Sequence, residues 1–140
     1  MEIRAHTVSP GQAQGPALIY NGPFSFLGDF NMATGEICVH GHPLEGKRLN
    51  QSIFVFTTGK GSSGGDFAAW IAKTNNTLPA GIICLESEPV LTGAALITQI
   101  PMVDRPEGDI FELIHAGDAL RLDATNGLIF IATDKACALG

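Results

Sequence analysis

The chain has 140 residues, 45% of them hydrophobic and 16% charged, which suits one compact domain with a real core and excludes disorder. Its formal net charge of −6, with the lysines and arginines scattered, argues against nucleic acid or an anionic membrane as partner, because both require a basic face. The opening MEIRAHTVSP lacks the basic and apolar segments of a signal peptide, and no apolar run approaches the roughly 20 residues of a membrane span, so a cytoplasmic location is expected.

Along the chain, EIRAHTVS alternates with period two and reads as a strand. PALIY and EICVH (residues 36–40) read as short apolar strands, with turns at Asn21-Gly22 and Thr34-Gly35. LNQSIFVFTT, dense in β-branched and aromatic residues, is the strongest strand. DFAAWIAKTNN carries apolar residues at 67, 68, 71 and 72 and predicts a helix of about ten residues with one buried face. Asp66 suits its first turn, Asn75-Asn76 end it, and Trp70 is expected in the core. AGIICLE follows as a fully apolar strand, making residues 53–86 a parallel strand–helix–strand unit. A short helix or turn is expected at 88–95, then a strand running into Pro101. DIFELIHAGD reads as a helical turn, and ALRLDATNGLIFIA as a hairpin turning at Asn126-Gly127. The expected organisation is one domain over residues 1–132 and a C-terminal tail over 133–140. The fold class is α+β: a mixed, barrel-like sheet with one helical crossover and flanking short helices. Cys38, Cys84 and Cys137 stand far apart, without metal-binding spacing, and read as buried small apolar residues of a reduced protein.

Residues 57–67, TTGKGSSGGDF, join the strongest strand to the helix. The Walker phosphate-loop pattern fails, because Phe54 stands where its first glycine belongs. The elbow G-x-S-x-G fails too, with Lys60 at its first position. Gly59-x-Gly61-x-x-Gly64 does match the dinucleotide fingerprint, with Glu86 at the end of the next strand. Against it stand the β-rich residues on either side and the want of a second mononucleotide half. A plain flexible turn is a further reading. The chemical reading rests on the helix start, where unpaired amides and the dipole favour an anion. Ser62 and Ser63 stand where their hydroxyls enter such a cradle, and the glycines let a ligand approach the backbone. A serine acting as base needs amide donors, a cation and a dry site, and Lys60 is the adjacent cation in sequence.

Gly61-Ser62-Ser63, set after a strand and before Ala68-Ala69-Trp70, resembles the glycine-serine-serine motif in the swivelling domain of aconitases and isopropylmalate isomerases. One branch, aconitase X, is similar over nearly the whole chain. SFLGDFNMATGEICVHGHP (25–43), Leu78-Pro79-Ala80-Gly81-Ile82-Ile83, Glu88-Pro89-Val90-Leu91-Thr92-Gly93-Ala94, Ile100-Pro101, Gly117-Asp118 and Asp123 with Gly127 occur in the family's order. The resemblance implies the small subunit of a hydro-lyase. Ser62 would be the base that removes a proton from carbon, and Gly61, Ser63, Gly64 and Lys60 would help bind substrate. Ser25 and His42 are further candidates at the cleft rim. The resemblance also implies a separate large subunit that carries the iron–sulfur cluster or metal ion, so none is expected on this chain.

Two substrates belong to the branch: cis-3-hydroxy-L-proline and mevalonate 5-phosphate. Richness in Asn, Gln and Thr with few Lys and Glu is unlike a hyperthermophile, which favours the hydroxyproline dehydratase. Aconitases follow the serine pair with an arginine for a substrate carboxylate; here Gly64-Gly65 follow, so citrate is not expected. A dinucleotide-binding module and a non-catalytic interaction domain are the rival classes.

Overall fold

The computed structural model describes residues 2–26, 28–60 and 65–132, and of Gly65 and Asp66 the backbone alone. Gly61, Ser62, Ser63 and Gly64, and the expected tail at 133–140, lie outside the described residues. The strands are β1 (Glu2–Arg4), β2 (His6–Ser9), β3 (Gln12–Ile19), β4 (Ile53–Phe56), β5 (Gly81–Cys84), β6 (Met102–Asp104), β7 (Ala119–Asp123) and β8 (Leu128–Ile131). The helices are α1 (Gly65–Thr74), α2 (Pro89–Thr98) and α3 (Ile110–Leu113).

The sheet order is β1-β8-β7-β3-β4-β5-β6-β2. Its two outer members are consecutive pieces of one strand with only Ala5 between them, so the sheet closes on itself as a barrel. The Ala5 amide donates to the Gly127 carbonyl at 2.8 Å at this seam. β3 to β6 are mutually parallel, and the other pairings are antiparallel. The parallel unit expected over 53–86 is present, with Ile53 opposite Gly81 and Phe56 opposite Cys84. A second crossover, β5–α2–β6, adds to the single one expected. α2 runs from Pro89 to Thr98, held at its start by the Glu88 carboxylate, which accepts from the Val90 and Leu91 amides at 3.0 and 2.7 Å. The strand expected to run into Pro101 begins after it, at Met102, which fits a residue with no amide to donate.

β4 alternates between two cores. Ile53 and Val55 pack with Ile83, Val103, Leu122, Ile129 and the α3 residue Ile110 inside the barrel. Phe54 and Phe56 face outward beneath α1 and α2, against Phe24, Ala69 and Leu91. Phe24 touches Phe54 edge-on, with centroids 4.9 Å apart.

Several expectations are corrected. EICVH forms no strand; Glu36 and Ile37 make isolated bridges to Arg48 and Phe30 within an irregular segment that covers the outer core. The buried side of α1 consists of Ala68, Ala69 and Ala72, while Phe67 is 66% and Trp70 47% exposed. Small side chains let α1 pack closely on α2, over the outer core that holds Phe54 and Phe56, where a bulky aromatic ring would not fit. Of the cysteines, Cys84 is buried and Cys38 exposed, and Cys137 lies outside the described residues.

Burial first, then the nearby Asp104 and Glu86 charges, push the Cys84 thiol above its ordinary range near 9. Ionisation therefore occurs more readily in the unfolded chain, and stability present below pH 9 is lost as pH rises past it. Denaturation midpoints measured at pH 8 and pH 10 are expected to show the loss, and Cys84→Ala to reduce it. At the seam, Gly127 has φ +67 and a Cβ there would overlap the Ala5 carbonyl oxygen. Gly127→Ala is expected to cost about 2 kcal/mol or more in urea unfolding.

Candidate functional site

Ligands in open parallel sheets bind at the carboxyl ends of the strands, where helix N-termini converge. Here the carboxyl ends of β3 to β6 share one edge, and β4 leaves that edge toward Lys60. The chain enters the glycine-serine stretch at Lys60 and leaves it at Gly65, the first residue of α1. The sequence position of Ser62 and Ser63 therefore falls between the end of β4 and the amino end of a helix of 10 residues.

The near side of that gap is well anchored. Phe24 bridges Gly59, its amide donates to the Thr58 carbonyl at 3.0 Å, and the Lys60 amide donates to the Phe24 carbonyl at 3.1 Å. Asp29, only 6% exposed, accepts from the Ser25 amide at 2.9 Å and from the Lys60 ammonium at 2.9 Å. Ser25 and Lys60, singled out from the sequence, are thus brought together through an aspartate that the sequence reading passed over. The Lys60 charge is compensated by Asp29, which makes Lys60 part of an anchor as well as a local cation.

Glu88 is the second residue missed. Besides capping α2, its carboxylate lies against Gly59, where any Cβ would overlap it. The first glycine of the apparent dinucleotide fingerprint is explained by this close approach. The barrel closure and the strand order also differ from the doubly wound sheet that the fingerprint requires. The signal for Glu88 lay in the sequence, as an acidic residue directly before Pro89 at a helix start.

His42 keeps to a different set of contacts. Its Nδ1 accepts from the Leu44 amide at 3.0 Å, and its ring tilts on Tyr20 with centroids 4.1 Å apart. Tyr20 follows β3 at the same carboxyl edge, so His42 is held over that edge by stacking. Farther along the edge, His6 Nδ1 lies 2.8 Å from Asp104 Oδ1, and Asp104 Oδ2 accepts from the Ser87 amide at 3.2 Å. Among the described residues no group of three or more His, Cys, Asp or Glu side chains could hold a metal ion. No helix among them is long and apolar enough to cross a membrane.

A sizeable concavity lies away from this edge. About 1070 Å³ in volume, it opens on the outer face of β7 and β8 and at the amino ends of β4 and β5, lined by Gln14, Gln51, Ala80, Arg121 and Phe130. Size alone does not make it the reactive site: among the described residues its lining includes no helix start, and Arg121 lies over the Phe130 ring at 4.0 Å.

A scan against family models matches residues 2–131 to the aconitase X swivel domain. The chain is 38% identical over 129 residues to the phosphomevalonate dehydratase small subunit of Methanocella arvoryzae, covering 92% of this chain and 98% of that one. It is 36% identical, with the same coverage, to the phosphomevalonate dehydratase small subunit of Methanothermobacter thermautotrophicus. Among solved structures it is similar to the holo-form of Thermococcus kodakaraensis aconitase X, with a TM-score of 0.88, 30% identity, and coverage of 94% of this chain and 98% of that one.

Replacing Asp29 by Asn leaves the Lys60 ammonium without its charged partner inside the anchor. Asp29→Asn is expected to lower stability by about 1–3 kcal/mol in thermal or urea unfolding. The double variant Asp29→Asn, Lys60→Met should recover part of that loss, since it removes the stranded charge.

Proposed function

The chain belongs to the aconitase X swivel-domain family, and from that premise we propose that it is the small subunit of a dehydratase acting on mevalonate 5-phosphate. The observation that carries the substrate is the name shared by relatives matched over nearly their full length, phosphomevalonate dehydratase small subunit. The expectation of cis-3-hydroxy-L-proline rested on composition. Composition follows working temperature rather than substrate, so it gives way to the relatives.

Mevalonate 5-phosphate is a 3-hydroxy acid with a phosphate at its far end. Elimination takes a proton from carbon 2, next to the carboxylate, and hydroxide from carbon 3. The electron pair of the broken C–H bond becomes the new double bond, and the proton and hydroxide together make water. In this reading Ser62, as alkoxide, removes the carbon-2 proton. The amides at the start of α1 stabilise that alkoxide, as the Lys60 charge does in part, and Gly61, Ser63 and Gly64 let the substrate carboxylate approach the backbone. Ser25 acts by holding the Asp29–Lys60 anchor, and His42 forms part of the rim. The family resemblance puts the metal ion or iron–sulfur cluster on the large subunit, where it would supply Lewis acidity toward the leaving hydroxyl.

The reading is tested by combining the chain with the large subunit of the same source and following elimination from mevalonate 5-phosphate and from cis-3-hydroxy-L-proline separately. Turnover is expected with the phosphate substrate. Ser62→Ala should lower kcat by about 10²–10⁴-fold with assembly intact. Turnover with hydroxyproline alone would overturn the substrate, and an undiminished Ser62→Ala rate would overturn the base.

A further inference from the structure

We propose that Arg105, flanked by His6, is the site on this chain that takes the phosphate of the substrate. The inference rests on the mevalonate 5-phosphate reading above and adds which side chains recognise the end of the molecule remote from the reacting carbons. Three backbone contacts lay out the carboxyl edge. The Leu85 and Glu86 amides donate to the Thr57 carbonyl at 2.9 and 3.1 Å, and the Arg105 amide donates to the Leu85 carbonyl at 3.0 Å. Thr57, Leu85 and Arg105 therefore stand in one row across the ends of β4, β5 and β6. Two strand spacings separate the ends of that row, about 10 Å. In extended mevalonate 5-phosphate five bonds run from carbon 2 to phosphorus, about 6 Å. A contact of about 3 Å at each end brings the span from base to guanidinium to about 12 Å. A substrate laid along the row, with carbon 2 on the β4 side, reaches Arg105 with its phosphate.

Stability does not account for an arginine at this position. Its backbone lies in the left-handed region at φ +48, where glycine is at ease and a larger side chain is disfavoured. Its guanidinium meets the Glu86 carboxylate at 3.6 Å, with the two side chains 66% and 65% exposed, and an ion pair so open to solvent adds little to stability. A backbone outlier without a stabilising reason points to function. The guanidinium fork matches two phosphate oxygens at once, which a surface carboxylate at this distance does not exploit. The rival anion sites along the edge are already filled: Glu88 occupies the start of α2, accepting from the Val90 and Leu91 amides, and Asp29 holds Lys60 at 2.9 Å. His6 stands across the β2–β6 pairing from Asp104, the residue before Arg105. Asp104 is buried and accepts from the Ser87 amide at 3.2 Å, which fixes its carboxylate. An ionised carboxylate only accepts, so His6 Nδ1 carries the proton of its 2.8 Å contact with Asp104. That leaves Nε2 of an exposed ring for a second hydrogen bond to the same phosphate. Glu86 competes with the phosphate for Arg105 and is displaced by it.

The test uses the chain assembled with its large subunit, mevalonate 5-phosphate as substrate and unphosphorylated mevalonate as competitive inhibitor. Arg105→Gln is expected to raise KM for mevalonate 5-phosphate about 10–100-fold with little change in kcat, while the inhibition constant of mevalonate stays where it was. Arg105→Lys should recover part of the loss, because it returns the charge without the fork. His6→Ala should raise KM by a smaller factor, about 3–10-fold. Glu86→Gln should lower KM, since it removes the competing carboxylate. Arg105→Gly suits the left-handed backbone, so it should raise KM as Arg105→Gln does and leave the unfolding midpoint at or above that of the parent. Should Arg105→Gln unfold, the glycine variant carries the comparison. An unchanged KM in a folded Arg105 variant would overturn the proposal, as would an equal loss of affinity for mevalonate and mevalonate 5-phosphate. A lowered midpoint in the glycine variant would overturn it too, because Arg105 would then serve stability. If the parent assembly eliminates water from mevalonate 5-phosphate and the Arg105 variants match it, only the phosphate site falls. If the parent assembly leaves mevalonate 5-phosphate intact and dehydrates hydroxyproline, the substrate reading falls and the phosphate site with it.

Discussion

Burial of β4 on both faces is the constraint on which the rest of the structure depends. Ile53, Phe54, Val55 and Phe56 are all fully buried. A strand with two apolar faces needs a layer on each side. One is the barrel interior, completed by the closure at Ala5; the other is the helical layer of α1 and α2, extended by the irregular segment around Phe24 and Phe30. Burying one such aromatic or branched side chain contributes about 1.5–3 kcal/mol, so the strand is held firmly where it ends. The glycine-serine segment starts from that end.

What surrounds the segment is an anchoring layer more than a binding layer. Asp29 ties Lys60 and the Ser25 amide into one unit, and Glu88 joins the start of α2 to Gly59. Each contact places a carboxylate where it satisfies donors. Such an edge can position a base at a helix start. The relatives it matches are small subunits, and that is why a second chain is central to the functional account.

The sequence was legible where local chemistry decides. The apolar run of β4, the bounds of α1, the parallel unit over 53–86 and the Asn126-Gly127 turn could all be read from period, branching and turn residues. The barrel closure could not, because it depends on which distant strands pair. EICVH looked like a strand because its residues suit one, yet its backbone finds only isolated bridges. Trp70 looked like core because tryptophan usually is; the alanines beside it made the close contact instead. At the site, the serine pair and Lys60 stood out as motif residues. Asp29 and Glu88 did not, because their importance lies in partners 31 and 29 positions away in sequence, Lys60 and Gly59.

The central claim is that the carboxyl edge of the parallel strands is one half of a site completed by another chain. Hydrogen exchange of the chain, alone and with its large subunit, tests this most directly. The account predicts added protection over residues 57–74 and 85–88, with the outer face of β7 and β8 unchanged. Protection confined to β7, β8 and the large concavity beside them would contradict it.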